Sequence, residues 1–104
     1  MIKIVGVTAC IAGVAHTYMA AENLKKYAKK KGYKIKIETQ GAMGIENRLK
    51  QSEIDNADIV IFAVDTMVRD ADRFEGKKIL KVGTSEVVKD GKSTIEKAEA
   101  MLNE

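Results

Sequence analysis

Apolar and polar positions along this chain follow two periods, one of two residues and one near 3.6, in alternating blocks. Residues 2–7 are apolar apart from Lys3 and Gly6 and rich in β-branched side chains, which predicts a strand covered on both faces, as in a parallel sheet. Residues 17–31 contain no glycine, and Ala20, Leu24, Tyr27 and Ala28 fall at helical spacing. A first helix is predicted there, ending at Gly32, where a left-handed residue is favoured. Residues 33–39 alternate, with Tyr33, Ile35, Ile37 and Thr39 on one face and Lys34, Lys36 and Glu38 on the other. This predicts a strand with one face in water, near the sheet edge.

Residues 40–44 read as a loop with two glycines, and 45–50 and 52–57 as helical pieces, with Ser52 and Asp55 at capping-box-like spacing. Residues 58–65 form the most apolar run and predict a central strand. A charged connection over 65–76, with one helical turn around 71–74, leads to a fourth strand at 78–82. Thr84 or Ser85 is expected to cap a short helix, and Ile95, Ala98, Met101 and Leu102 predict a final amphipathic helix after Asp90-Gly91. Strands alternating with helices predict an open, Rossmann-like α/β fold. Its sheet is expected to be mainly parallel and four-stranded, in strand order 2-1-3-4, with helices on both faces. In such sheets the ligand lies beyond the carboxyl ends of the strands where the strand order reverses, which places the functional site after Thr8.

Composition narrows the chemistry. The 104 residues include one Cys, one His and no Pro. A single domain, 1–104, is expected, long enough to bury roughly 65% of its unfolded surface without staples. One Cys forms no internal disulfide, and one Cys with one His fall short of the three or four ligands usual at zinc sites, so no metal is expected. The apolar run at 2–8 is short for a signal peptide, and no segment approaches 18 uninterrupted apolar residues. A soluble protein of a reducing compartment is the expectation.

The net charge of +3 conceals an asymmetry: residues 25–36 hold seven lysines and no acid, so the rest of the chain sums to −4. One reading is a solvated helix whose last turn carries Lys29, Lys30 and Lys31, cations favoured by the macrodipole. Another is a docking rim for an acidic protein. Nucleic-acid binding would call for Arg forks and stacking aromatics, and this window offers only Tyr27 and Tyr33, so no nucleic-acid partner is expected.

The single Cys and the single His lie six positions apart between the first strand and the first helix, in Thr8-Ala9-Cys10-Ile11-Ala12-Gly13-Val14-Ala15-His16-Thr17-Tyr18. A loop closing into a helix N-terminus presents unpaired N–H groups and partial positive charge, which together bind a tetrahedral oxyanion. Small residues at Ala9, Ala12, Gly13 and Ala15 permit close approach of the backbone to such an anion. The run matches neither the Walker A pattern nor the dinucleotide fingerprint, so a nucleotide is not the expected ligand. Two readings of Cys10 stand side by side. It is a phosphoryl acceptor whose thiolate the same electrostatic field favours, or it is a small buried apolar residue. His16 likewise either stabilises charge on the phosphoryl group or thiolate, or only hydrogen-bonds the loop.

Two phosphoryl chemistries use this architecture. Low-molecular-weight tyrosine phosphatases carry C-x5-R-[ST] here, whereas this loop reads C-x5-H-T. The missing guanidinium is what a phosphatase needs to grip phosphate, and Asp65, Asp70 and Asp72 fill its general acid's place only nominally. A hydrolase of that kind is the alternative to a carrier, in which a phosphocysteine forms from a good donor and is poorly set up for hydrolysis.

The sequence resembles the IIB component of the fructose-mannitol class of the phosphoenolpyruvate-dependent sugar phosphotransferase system over nearly its whole length. The pattern T-A-C followed by P-T-G-I-A-H-T-Y-M-A-A-E is matched by Thr8-Ala9-Cys10, by Gly13, and by the run from Ala15 to Glu22. The family's E-T-Q-G appears as Glu38-Thr39-Gln40-Gly41, followed by Gly44-Ile45-Glu46-Asn47. The third strand and Asp72-Arg73-Phe74 also agree. The resemblance implies that Cys10 accepts a phosphoryl group from a phosphohistidine on a IIA protein. Cys10 then passes it to a sugar held by a membrane IIC permease, at the inner face of the membrane in the cytoplasm. The sugar implied is fructose, phosphorylated at its C1 hydroxyl, with a related hexose or mannosyl compound as the alternative.

On this reading the backbone N–H groups of Ile11, Ala12, Gly13, Val14, Ala15 and His16 hold the phosphoryl oxygens, Thr17 caps the helix or orients the loop, and no cofactor is needed. Met19, Met43 and Met67 are candidate apolar contacts for partners. The family's Pro-Thr after the cysteine is replaced by Ile11-Ala12. That restores one backbone N–H and removes one hydroxyl donor, worth about 1 kcal/mol.

Overall fold

Strand β1 (Lys3–Ala9) is buried from Ile4 onward because it has a neighbouring strand on each side and packing on both faces. The computed structural model describes residues 2–9, 14–41 and 44–103, excepting the side chains of Val14 and Ala15. After β1 come α1 (Val14–Lys30), β2 (Lys34–Gly41), β3 (Gly44–Glu46), α2 (Gln51–Asp55) and β4 (Ile59–Val64). A 3₁₀ turn (Ala71–Phe74), β5 (Ile79–Val82), α3 (Thr84–Lys89) and α4 (Gly91–Leu102) complete the chain. The sheet order is β3-β2-β1-β4-β5, parallel except for β3.

The expected order of four parallel strands is present as β2-β1-β4-β5, and the expected count is corrected by one. Gly44, read as loop, and Ile45 and Glu46, read as helix, instead pair antiparallel with the end of β2, Gln40 opposite Ile45 and Gly41 opposite Gly44. A three-residue strand with one large apolar side chain shows no period of two, and Asn47 at φ 54° turns the chain out of regular structure directly after it. Residues 40 and 41, read as loop, continue β2, while Ala42 and Met43 lie outside the described residues.

Two apolar layers sandwich the sheet. On one side Ile4, Ile37, Ile59, Ile61 and Ala63 meet Ala20, Ala21, Leu24 and Ala28 of α1, Val87 of α3, and Ile95 and Ala98 of α4. On the other Val5, Val7, Ala9, Val60, Phe62 and Val64 meet Leu49, Ile54, Ala57 and Phe74, with Phe62 and Phe74 edge-to-face at 5.0 Å. Close approach needs glycine at two points. A Cβ at Gly6 would lie 2.7 Å from Ile37 Cδ1 and 3.3 Å from the Ile61 carbonyl, and one at Gly91 would lie 3.0 Å from both Asn23 Cβ and Tyr27 Cδ2.

Helix ends follow local chemistry. Gly32 at φ 76° closes α1 in a Schellman arrangement, with Tyr33 N–H donating to the Ala28 carbonyl and Gly32 N–H to that of Lys29. Helix α2 is capped not by Ser52 but by Glu53, whose Oε1 accepts from the Lys50 N–H at 2.8 Å. Helix α4 is capped by Asp90, which accepts from Ser93 N–H at 3.1 Å.

The lysine run occupies the last turns of α1 and the start of β2, at the amino ends of the parallel strands. Lys31 pairs with Glu99 at 2.5 Å, Lys36 with Glu53 at 2.8 Å, and Lys26 and Lys30 lie over the Tyr27 ring. A cleft of about 580 Å³ opens beside it, lined by Lys3, Lys29, Tyr33, Lys34 and Lys36 among others. Among the described residues no helix is long and apolar enough to cross a membrane.

Candidate functional site

Strand β1 is where the strand order reverses, with β2 on one side and β4 on the other. The crevice beyond the carboxyl ends of β1 and β4 is therefore the switch point of the sheet. The two ends are tied together by the Asp65 N–H, which donates to the Ala9 carbonyl at 2.9 Å. The Asp65 carboxylate accepts from the Thr84 N–H at 3.1 Å and from the Thr84 hydroxyl, fixing the start of α3 at the same crevice. Thr84 is thus the first residue of α3, and its helix end is capped by Asp65, directly after β4, rather than by a local side chain.

Between Ala9 and Val14 lie Cys10, Ile11, Ala12 and Gly13, outside the described residues. Helix α1 begins at Val14, three residues earlier than the apolar spacing predicts, so its N-terminus falls inside the predicted phosphoryl-binding segment. That corrects the role of Thr17 as a cap. It is the fourth residue of α1, only 2% exposed, and its hydroxyl faces the protein interior without a partner. His16 is exposed in the same first turn. No acidic side chain lies in that turn to offset the positive end of the helix dipole.

Two further threonines join Thr17. Thr8 of β1 and Thr39 of β2 are register partners, both buried, and neither hydroxyl has a hydrogen-bond partner. Each such group costs about 1–3 kcal/mol relative to a satisfied one.

On the opposite face of the sheet the expectation of a wet strand fails at its end. Lys34 is exposed, but Glu38 is fully buried and Gln40 is 3% exposed. Arg73 donates to both Glu38 oxygens, and Leu49 N–H donates to Oε1 at 2.9 Å. Gln40 donates to Glu38 at 2.7 Å and holds Arg69 by both backbone groups, donating to its carbonyl and accepting from its N–H. Burial pushes the Glu38 carboxyl up, yet the hydrogen bonds from Arg73, Gln40 and Leu49 outweigh it and hold the pKa below the usual carboxylate range. Hydrogen bonding to Glu38 raises that of Arg73 in turn. This lattice pins the segment after β4 onto the end of β2, beside the crevice. Alternation alone puts Glu38 with Lys34 and Lys36, and its partner lies 35 residues away, so only the E-T-Q-G and D-R-F runs marked these residues.

The exposed apolar side chains near the crevice include Tyr18 and Met19 in the first turns of α1 and Met67 after β4. The Tyr18 hydroxyl donates to Glu46, joining α1 to β3, and this hydrogen bond raises the Tyr18 pKa. Met43 lies outside the described residues. Among those described, no group of three His, Cys, Asp or Glu is arranged to hold a metal ion.

The family model described as "PTS system, Lactose/Cellobiose specific IIB subunit" matches residues 5–97. A protein of Escherichia coli K12 named PTS system fructose-like EIIB component 2 is 48% identical over 102 residues, covering 98% of this chain and 96% of that protein. The crystal structure of a domain from the fructose-specific IIABC component of Borrelia burgdorferi has a TM-score of 0.88 at 50% identity, covering 93% of this chain and 92% of that one. A longer Bacillus subtilis protein named PTS system fructose-specific EIIABC component is 45% identical over 96 residues, 92% of this chain and 15% of that protein. The chain belongs to the IIB family of the sugar phosphotransferase system, and it is a sugar phosphotransferase component.

Proposed function

We propose that this chain is a phosphocarrier in which Cys10 accepts a phosphoryl group from a phosphohistidine on a IIA protein and delivers it to a sugar, fructose first among candidates. The observation that carries the reading is where β1 ends and α1 begins. Strand β1 ends at the switch point of the sheet, α1 is a 17-residue helix without first-turn acids, and the chain's only thiol falls between them in the sequence.

The helix field favours the thiolate. That thiolate attacks the donor phosphorus, an S–P bond forms as the P–N bond breaks, and the imidazole leaves neutral once it is protonated. In the second half-reaction the sugar hydroxyl attacks, the S–P bond breaks, the thiolate is restored and the hydroxyl proton is released. The backbone N–H groups of residues 11–16 are the phosphoryl cradle, with His16 at its rim. No metal or cofactor takes part.

A IIA donor and a membrane IIC permease are the partners, a reading supported by the fused relative named EIIABC. The chain works in the cytoplasm, at the inner membrane face when engaged with IIC. The Arg that a phosphatase would need is not supplied by Arg73, which is committed to Glu38. The test is phosphoryl uptake from phosphoenolpyruvate, which must require the general phosphotransferase proteins and a cognate IIA. Turnover of an aryl phosphate by the chain alone would favour the hydrolase instead.

A further inference from the structure

Among the described residues, the buried side-chain oxygens or nitrogens without a hydrogen-bond partner are those of Thr8, Thr17 and Thr39. Their placement is shared. Thr8 and Thr39 stand side by side on the β1–β2 ladder, continuing the rows of Ile4 and Ile37 on the α1 side of the sheet. Thr17 heads the stripe of α1, continued by Ala20, Ala21, Leu24 and Ala28, that packs onto that side. All three sit in one layer, at the end where β1 stops at Ala9 and α1 starts at Val14.

Valine has the same shape as threonine and would remove the cost of an unpaired buried hydroxyl at each position, so the fold alone gives no reason for three of them. On its other side Thr8 is the register partner of Ala63 of β4, an apolar residue of the same layer. Rotatable hydroxyl donors become satisfied when acceptor oxygens reach them, and a phosphoryl group brings three.

We propose that Thr8, Thr17 and Thr39 are positioning residues for phosphoryl transfer, their hydroxyls unpaired in the resting protein and engaged when the acceptor is charged. This rests on the phosphocarrier reading above. Their contribution is expected in the transfer step and not in donor binding.

The experiment compares the wild type with Thr8→Val, Thr39→Val and Thr8→Ser. Initial rates of phosphorylation by phospho-IIA are measured over a range of donor concentrations, alongside urea unfolding. Both Val variants are expected to be at least as stable as the wild type while kcat falls on the order of tenfold and KM for phospho-IIA stays unchanged. Thr8→Ser, which keeps the hydroxyl, is expected to recover most of the rate. Val variants that transfer at the wild-type rate would overturn the proposal with the phosphocarrier reading intact. Val variants that fail to fold would overturn it too, since the hydroxyls would then serve the fold. A wild-type protein that takes no label on Cys10 would remove both readings together.

Discussion

Arg73 grips Glu38 with both arms of its guanidinium, Nη1 to Oε1 and Nη2 to Oε2, each at 2.9 Å, around a carboxylate with no exposure to solvent. The fork spans 35 residues of sequence and fastens the 3₁₀ turn to β2. Removing one member of a buried pair strands the other in low dielectric, which costs about 3–5 kcal/mol. Arg73→Ala is therefore expected to lower the urea midpoint sharply without changing the m-value. Arg73→Lys, a point charge without the planar fork, is expected to recover only part of the loss. A loss under about 1 kcal/mol in Arg73→Ala, the scale of an exposed ion pair, would contradict the buried assignment.

The same pair sets the acid limit of the fold. Glu38 is held below the usual carboxylate range, with its burial outweighed by its hydrogen bonds. Glu53 is lowered by Lys36 and the Lys50 N–H, and Glu99 by Lys31 and Tyr33. A depressed folded-state pKa contributes stability above the unfolded value of about 4.3, and this contribution is lost as pH falls through the folded value. Unfolding free energy, followed by urea titration in steps from neutral to about pH 3, is expected to hold down to about pH 5 as far as these groups are concerned and then to decline. Stability that stayed level down to about pH 3 would show that these carboxylates gain nothing on folding.

Gly6 offers a separate test of the packing. Its Cα hydrogens face Ile37 Cδ1 on β2 and the Ile61 carbonyl on β4, and a methyl group would meet both. Ile37 Cδ1 is the end of a flexible side chain in a filled layer, and the carbonyl is fixed. Gly6→Ala is expected to destabilise by about 1–3 kcal/mol, the usual cost of overpacking, and the gain in strand propensity does not offset it. A rise in melting temperature would show that β1 has room which this packing denies.

Much of this architecture is legible in the sequence because its strongest patterns are local. The apolar runs of β1 and β4 and the helical stripe of α1 are each visible within a dozen residues, and their alternation fixes a parallel sheet. What escapes depends on distant partners. Glu38 and Gln40 read as a wet face until Arg73, Leu49 and Arg69 are folded onto them. Strand β3 exists because the end of β2 offers it a ladder, not because residues 44–46 have a pattern of their own. Thr84 starts α3 with Asp65, 19 residues earlier, as its cap. At the candidate site, the Cys and His were marked by their scarcity and by the loop pattern. The hydroxyls of Thr8 and Thr39 were not, since a threonine on a strand face carries no sign that its hydroxyl will lack a partner, and Thr17 was marked only as a cap or a loop-orienting residue.

The central claim is that Cys10 carries the phosphoryl group, and peptide mass spectrometry tests it most directly. The protein is incubated with phosphoenolpyruvate, the general phosphotransferase proteins and a cognate IIA, then digested under conditions that preserve a thiophosphate ester. The account predicts one added phosphoryl group on the peptide containing Cys10 and none in Cys10→Ser treated identically. A phosphoryl group on any other residue, or the same label persisting in Cys10→Ser, would contradict it.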